Sequence, residues 1–249
     1  MNILESPTGQ PTIEWFGISI MEPMVTFTDL WITAVCLYAF YQLRKRNLEG
    51  PIHRYLRAYF LIMALATFLG GILGHAFQYA LSLQWKLPGW LIIMIAVVAI
   101  ERASIFQAQL LVNKRAGKVL EVFNLLELIT FLVITFYTLD FFFVKIHSAY
   151  GLGLVVLPLH VLMYRHTAHP MNLYFIRTVL FASLSAVFYT LEIGLHLWFN
   201  HLDVAHTIMA ISMYGFYRGA LFLDPKTAYK PLVQPLTNLR ILKAIFGLK

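Results

Sequence analysis

The stretch GWLIIMIAVVAIERASIFQAQLL, residues 89–111, is long and apolar enough to cross a lipid bilayer as a single helix. The rest of the chain has the same character, since 59% of its residues are hydrophobic and only 12% are charged. Soluble proteins average about 45–50% apolar and 25% charged residues. The composition therefore indicates an integral membrane protein.

Seven apolar runs near the length of a span follow one another along the chain. With 249 residues and about 20 residues for each span, seven helices leave no room for a soluble domain. We therefore expect one all-α, polytopic domain over residues 1–249. The segment between the fourth and fifth runs is itself nearly continuous, so a six-helix count is the alternative. The runs are 24–43, 57–80, 89–111, 119–138, 147–164, 173–198 and 204–222.

Basic residues in short loops mark the cytoplasmic side of a membrane protein. The loops after the first, third and fifth runs are basic, as is the segment after the seventh, whereas the opposite loops hold only Lys86 and Lys145. We therefore expect the N-terminus outside and the C-terminus in the cytoplasm, in a membrane such as the bacterial inner membrane. This placement accounts for the net charge of +7 without nucleic-acid binding.

Both ends of the chain have the composition of interfacial segments. Residues 1–22 include Trp15 and Phe16 among short apolar residues, which is typical of a stretch that lies on the outer surface and covers a site between helices. Residues 223–249 end in TNLRILKAIFGLK, which mixes Leu, Ile and Phe with Lys and Arg. That pattern predicts a basic amphipathic helix on the anionic cytoplasmic leaflet.

Ionisable residues inside or beside the apolar runs gather near the predicted outer side. His75 lies near the outer end of the second run, and Asp203 and His206 lie at the start of the seventh. Glu22 and Asp29 are seven residues apart, which places them on one face of the first helix. Polar groups inside a membrane are costly, so several at one depth indicate a site. The predicted cluster also contains Glu192 and His196, four residues apart on the sixth helix, and His201, in the approach to the seventh.

Imidazole and carboxylate groups are the ligands that zinc accepts, which favours a metal site formed by part of this cluster. For His75, a ligand and a hydrogen-bonded structural residue are both open. Glu192 is expected either to orient the His196 ring or to form a buried hydrogen-bonded pair with it. The remaining polar residues are interpreted as interfacial or structural; they are His147, His160, His166, His169, Glu101, Arg102, Asn124 and Glu127.

An acid ahead of the first helix, His75 in the outer half of the second, and the pair His201 and His206 at the start of the seventh form a recognisable layout. It resembles the CREST superfamily of seven-helix membrane hydrolases, which includes the alkaline ceramidases and the progestin and adipoQ receptors. The segments ISIMEPMVTFTDLWITAVCLYAF and FNHLDVAHTIMAISMYGFYRGA look like a bacterial branch of such proteins.

The resemblance implies zinc held by His75, His201 and His206, with Asp203 or Asp29 as the general base for an attacking water. Glu22, Glu192 and His196 would then support the ligands or replace one of them. Two features depart from the superfamily pattern. The serine four residues before the second-helix histidine is Gly71 here, and the helix-seven histidines are separated by four residues instead of three. On a continuous helix this spacing turns the second ring away by about 140°, so His201 must precede the helix to share a metal with His206.

Two functions follow from this pattern. The first is a zinc-dependent intramembrane hydrolase of a lipid amide or ester, whose lipid substrate enters sideways between helices. The second is a non-enzymatic, receptor-like or complex-subunit membrane protein in which the same residues form a structural His/Asp network. The absent serine favours the second, and the convergence of His75 with the helix-seven histidines favours the first.

Overall fold

A computed structural model describes residues 6, 8–109, 111 and 114–223 of the chain. The predicted basic amphipathic tail lies, from residue 224 on, outside the described residues. The described part contains seven helices, which we number α1 to α7, and one short hairpin. The helices are α1 Pro23–Lys45, α2 Pro51–Ala76, α3 Leu87–Ala108, α4 Lys114–Thr138, α5 Phe141–Thr167, α6 Pro170–Thr190 and α7 His201–Ala220.

Six helices of the described part, α1 to α6, are long and apolar enough to cross a membrane. Many of their large apolar side chains are exposed, for example Phe123, Leu126 and Tyr137 on α4. Such faces belong in lipid, where an apolar surface carries no cost. The chain is therefore an all-α, multi-pass membrane protein.

Neighbouring helices pack on each other in sequence order, and α7 returns to pack against α6 and α1. The core between them is built from large side chains of α2, α6 and α7, among them Tyr59, Phe60, Phe175 and Phe216. The Tyr59 hydroxyl lies 3.1 Å from the sulfur of Met213. Buried alanines on α1, α2, α3 and α7 allow the helix backbones to approach closely.

Two helices contain π-helical segments, in which the backbone hydrogen bonds span one residue more than in an α-helix. The end of α2 is π-helical over Gly70–Ala76, which includes His75. The middle of α5 is π-helical over Gly151–Val156. The break before α5 is tight: Thr138 ends α4, and the Asp140 carboxylate caps α5 by accepting the Phe142 N–H at 2.8 Å. The fifth helix therefore begins at residue 141, earlier than the apolar run predicted.

The N-terminal segment folds over the same end of the bundle as His75. Strands β1 Ile13–Trp15 and β2 Ile18–Ile20 form an antiparallel hairpin. The hairpin leads into α1, and the Met21 N–H donates to the carbonyl of Ala76 at the end of α2. At the tip of the hairpin, the Phe16 side chain is 89% exposed.

Candidate functional site

Three side chains from three helices meet at one end of the bundle: Asp29 of α1, His75 of α2 and His206 of α7. The Nε2 atom of His75 lies 3.8 Å from Asp29 Oδ2, and the Nε2 atom of His206 lies 3.6 Å from Asp29 Oδ1. The two imidazole rings lie 6.0 Å apart between centroids and are nearly perpendicular. The carboxylate of Asp29 thus stands between two histidines that are far apart in the sequence.

Glycines of α2 make room for Asp29. A Cβ atom at Gly71 would lie 3.1 Å from Asp29 Cβ and 3.4 Å from the Thr26 carbonyl oxygen, and one at Gly70 would lie 3.3 Å from Asp29 Oδ2. The separations of 3.1 and 3.3 Å are tighter than nine in ten real Cβ contacts. A serine at position 71 would therefore be crowded here, because Asp29 occupies the space beside it. The close approach of α1 and α2 accounts for the glycine at this position.

Glu22 orients the ring of His75 and holds a proton on Nδ1. Its Oε2 atom lies 2.6 Å from His75 Nδ1, and its Oε1 atom accepts hydrogen bonds from the hydroxyls of Ser6 and Thr8. Burial raises the pKa of Glu22, but the hydrogen bond and charge of His75 and these hydroxyls outweigh it and lower the pKa to about 2. An ionised carboxylate only accepts hydrogen bonds. Nδ1 of His75 is therefore protonated, and Nε2 is the nitrogen that carries the lone pair when the ring is neutral.

Thr28 is the partner of Nδ1 in His206. The Thr28 hydroxyl lies 3.0 Å from the Val25 carbonyl oxygen and 3.4 Å from Asp203 Oδ1, and both of these atoms are acceptors. When the hydroxyl donates to one of them, its oxygen can accept the Nδ1 proton of His206 across 3.1 Å. In that tautomer of the neutral ring, His206 Nε2 carries the lone pair.

When both rings are neutral, their Nε2 lone pairs face one carboxylate. Hydrogen bonds do not explain this arrangement, because the nitrogen–oxygen distances of 3.6 and 3.8 Å exceed normal hydrogen-bond lengths. A second proton on a ring, or a metal cation between the three groups, would turn the repulsion into attraction. Imidazole Nε2 atoms whose Nδ1 protons are held by a carboxylate or hydroxyl are the usual arrangement at metal sites.

The distances between the histidine nitrogens and the Asp29 oxygens are slightly larger than the distances between ligand atoms around a bound zinc ion. Donor atoms at 2.0–2.2 Å from a tetrahedral zinc ion lie about 3.4 Å apart, compared with 3.6 and 3.8 Å here. Within the part of the chain that the structure describes, no three His, Cys, Asp or Glu side chains are already positioned as a complete ligand set. The donor types fit zinc, and movements of a few tenths of an ångström would bring these two nitrogen–oxygen separations to tetrahedral values.

His201 does not precede α7, as a metal shared with His206 would require. It is the first residue of that helix, after the N-cap Asn200. Because the two residues are five positions apart on a continuous helix, the side chains of His201 and His206 point in different directions. The His201 ring contacts the Tyr189 ring, with centroids 5.9 Å apart, while His206 faces Asp29.

The predicted helical stripe of Glu192 and His196 is wrong. Helix α6 ends at Thr190, and Glu192 adopts a left-handed conformation with φ of 52°. Both side chains are exposed in an apolar loop, and His196 Nδ1 accepts the Trp198 N–H at 3.2 Å. A Cβ at Gly194 would lie 3.1 Å from the Asn200 backbone, so the loop turns back tightly onto the start of α7.

Asp203 caps the start of α7 through its Oδ2 atom. Its Oδ2 atom accepts the Asn200 N–H at 2.8 Å and the Gln10 amide at 3.1 Å, and the Asn200 side chain caps the same turn in return. Sequence reasoning missed this capping box, although the Asn-x-x-Asp spacing is a recognisable signal. It also missed Gln10, which is buried and whose carbonyl accepts the Met24 N–H at 2.9 Å.

The histidine pair opens into a cavity of about 530 Å³. His75 and His206 line its inner part together with Glu22, Gly70 and Gly74. The remaining lining is largely aromatic and aliphatic and includes one lysine; these residues are Thr8, Leu83, Lys86, Trp90, Phe141, Tyr189, Glu192, His201 and Leu202. The site is thus accessible to a molecule much larger than water.

Residues 24–225 match a family described as a family of unknown function, DUF6962, and the chain belongs to that family. Neither a curated protein nor a solved structure matches the chain. The matched range covers all seven helices except the first residue of α1, and so it includes Asp29, His75 and His206.

Proposed function

We propose that this protein is a zinc-dependent membrane hydrolase that cleaves an amide or ester bond of a lipid. The observation that carries the proposal is the position of the Nε2 atoms of His75 and His206, which lie on either side of the carboxylate of Asp29. Asp29 takes the place that the resemblance to membrane hydrolases gave to His201. Zinc in such a site would supply a Lewis acid and lower the pKa of a coordinated water to about 7.

The residues of the chain have separable tasks in this proposal. Glu22 and Thr28 hold the two Nδ1 protons and so orient the rings. Asp29 has one oxygen near each histidine, so one oxygen can act as a ligand while the other accepts a proton as a general base. Asp203 holds the start of α7, on which His206 lies, and is a positioning residue.

The surroundings of the cavity support a lipid substrate. Its wall combines Trp90, Phe141 and Tyr189 with polar and charged side chains, and such a mixed lining suits a molecule that has both an apolar chain and a polar headgroup. The exposed hairpin tip and the apolar loop after α6 flank the same end of the bundle; Leu195 of that loop is 73% exposed. Aromatic and aliphatic side chains exposed at helix ends favour the membrane interface, where a lipid could enter between helices.

The first test is elemental analysis of protein purified in a neutral detergent. We expect close to one zinc per chain in wild type and almost none in His75→Ala or His206→Ala, because two ligands seldom retain zinc. His196→Ala is the matched control, since that histidine lies on an exposed loop, and it should keep its zinc. His201→Ala should keep zinc as well. A folded, metal-free wild type would refute the zinc site.

The second test is hydrolysis. A fluorescent N-acyl amide and a medium-chain ester are incubated with the protein in mixed micelles, before and after treatment with a chelator. We expect cleavage of at least one substrate, its loss on chelation and its return when zinc is added. Asp29→Asn should abolish cleavage, and His196→Ala should not alter it. Metal-loaded protein that cleaves neither bond would leave the hydrolase without support.

The second candidate is the non-enzymatic, receptor-like or complex-subunit protein. The finding that no three described side chains form a ready-made ligand set favours it, as do the hydrogen bonds of Gln10, Thr28 and Asp203 that tie the N-terminal segment to α1 and α7. In that case the only role of the polar network is to stabilise the bundle. A zinc content of one ion per chain would exclude a purely structural role for Asp29.

We further propose that α7 is a seventh span, with the N-terminus and the histidine pair outside and the C-terminus in the cytoplasm. The distribution of basic loops supports this orientation, which fits a cytoplasmic membrane such as the bacterial inner membrane. A reporter that is active only in the cytoplasm should work when fused after Lys249 and fail when fused before Met1. The reverse pattern would move the site to the cytoplasmic face.

A further inference from the structure

Lys86 is a basic side chain in the wall of the cavity, and it is the only Lys or Arg among the described residues that line it. Its stem lies against α2, because a Cβ atom at Gly74 would be 3.9 Å from Lys86 Cγ. Gly74 directly precedes His75. The ammonium group is therefore attached to the same wall as the proposed zinc ligand.

Lys86 forms no salt bridge among the described residues. The carboxylate of Glu22 is near enough to attract its ammonium group, but that carboxylate already accepts hydrogen bonds from His75, Ser6 and Thr8. Glu192, which also lines the cavity, forms no salt bridge within the described residues either. The partly buried ammonium group of Lys86 therefore has hydrogen-bonding capacity left for an anion from outside.

A second lysine stands at the rim of the same cavity. The Lys145 Nζ atom lies 4.9 Å from the centroid of the Tyr189 ring, and Tyr189 is part of the lining. Lys86 directly precedes α3 and Lys145 lies near the start of α5, and they are the only Lys or Arg residues at the ends of the helices that we place outside the membrane. Lys86 thus lines the cavity and Lys145 lies beside it, although the positive-inside rule depletes that side of the protein of positive charge.

We propose that the molecule bound in this cavity is an anionic amphiphile whose phosphate or carboxylate headgroup binds Lys86. Its apolar chain lies along Trp90, Phe141 and Tyr189, and its scissile bond faces Asp29. That this molecule is the substrate rests on the proposed function, whereas the anion site itself is defined by Lys86 and the cavity. Lys145 would add charge at the entrance and would attract the headgroup without contacting it in the bound state.

Short-chain probes that do not form micelles at working concentrations test this proposal by calorimetry in a neutral detergent. Hexyl phosphate and hexanoate carry the two anionic headgroups, hexylphosphocholine carries a zwitterionic one, and inorganic phosphate lacks the chain. We expect wild type to bind at least one of the two anionic amphiphiles about tenfold more tightly than hexylphosphocholine, as one charge-assisted hydrogen bond predicts. The tighter of the two identifies the headgroup, and inorganic phosphate should bind weakly.

Substitutions at Lys86 separate a specific contact from general attraction. Lys86→Met should lose the tenfold preference, and Lys86→Arg should keep most of it. Lys118→Met is the matched control, because this exposed lysine lies on α4 at the opposite end of the bundle, and it should bind like wild type. Equal binding of anionic and zwitterionic probes, or an unchanged preference in Lys86→Met, would overturn the proposal.

Zinc content measured on the same samples distinguishes the two hypotheses. A Lys86→Met variant that keeps its zinc and loses the preference supports the anion site independently of metal binding. A metal-free wild type that still prefers the anionic probe in a Lys86-dependent manner would refute the hydrolase and support the anion site. Zinc-loaded wild type without any preference would refute the anion site and leave the metal site intact.

Discussion

Two pairs of histidines in this bundle differ in how their ring nitrogens are used. In α5, His160 has both nitrogens within hydrogen-bond distance of protein partners, Asn172 Oδ1 at 2.9 Å and Ser104 Oγ at 3.1 Å. His147 of the same helix is satisfied in the same way by Glu127 and by the Met94 carbonyl. At the other site, His75 and His206 each use Nδ1 in this manner, but their Nε2 atoms face Asp29 beyond hydrogen-bond distance.

This difference separates histidines that hold a fold together from histidines prepared for a ligand. A buried imidazole with two partners has no capacity left, and its removal leaves those partners unsatisfied. An imidazole with one partner is oriented and still has a donor atom to offer. The sequence contains nine histidines. It does not show which of them have one hydrogen-bond partner and which have two, because the partners come from distant segments.

The largest effect should appear when metal is removed. A ligand that binds only the folded state at a thousandfold excess over its Kd stabilises it by about 4 kcal/mol. Chelator treatment should therefore lower the thermal midpoint of wild type markedly and leave Asp29→Asn unchanged. His160→Ala should show the full chelator effect, since His160 has no place in the zinc site. A wild type insensitive to chelation would remove the distinction between the two pairs.

The next effect is a loss of stability without a loss of zinc. The fully buried His160 ring stacks on Phe175, with 4.3 Å between centroids. His160→Ala should lower the free energy of unfolding by about 3 kcal/mol, because it leaves a cavity and unsatisfied polar partners. Unfolding in a denaturing detergent measures this, and elemental analysis should still find zinc. His196→Ala, in the exposed loop, should change stability by no more than about 0.5 kcal/mol.

A smaller effect should follow from neutralising the carboxylates that hold the rings. With its pKa of about 2, Glu22 is ionised at neutral pH, and Glu22→Gln should weaken zinc binding about 10- to 100-fold. Competition with a fluorescent zinc chelator measures that change. Glu127→Gln alters the partner of His147 and should leave zinc affinity within about twofold. A similar loss of zinc in both variants would show that any acid–histidine pair supports binding equally.

The smallest expected effect concerns Gly71. The extra methyl of Gly71→Ala would press on Asp29 and on the Thr26 carbonyl, and such overpacking costs about 1 kcal/mol or slightly more. Zinc affinity should fall with stability, because the displaced group is a proposed ligand. Gly153→Ala is the control: a Cβ there meets nothing within 4 Å, so the variant should be neutral or slightly stabilised. Normal zinc binding by Gly71→Ala would argue that Asp29 is not a ligand.

The sequence predicted the membrane class and most helices, because the length and hydropathy of a run directly reflect its transfer into lipid. It failed at the end of α6, where residues 191–198 are apolar enough to continue a helix but form a loop. Hydropathy does not detect the left-handed backbone of Glu192 or the close contact at Gly194. The predicted Glu192–His196 stripe was wrong for that reason.

The candidate site was partly within reach of sequence reasoning. Loop charge and run position placed Asp29, His75 and His206 near one end, which is where the structure brings them together. Their pairing with Glu22 and Thr28 could not be derived, because it depends on how α1, α2 and α7 approach each other. The capping role of Asp203 was missed for a local reason, since its partner Asn200 was not considered as a cap.

The π-helical turn of α2 makes the direction of His75 depend on where the chain changes length. A π-helix accommodates about one residue more per turn than an α-helix, and each residue in an α-helix rotates the following side chains by about 100°. Loss of one residue from Gly70–Ala76 would let this turn regularise, and His75 would keep its direction towards Asp29, because the wide turn had absorbed the extra residue. Loss of one residue from the α-helical part of α2 is not absorbed in this way and would turn the imidazole by about 100°. A natural variant of this protein would therefore lose its histidine pair more readily through a length change outside the π-helical turn than through one inside it.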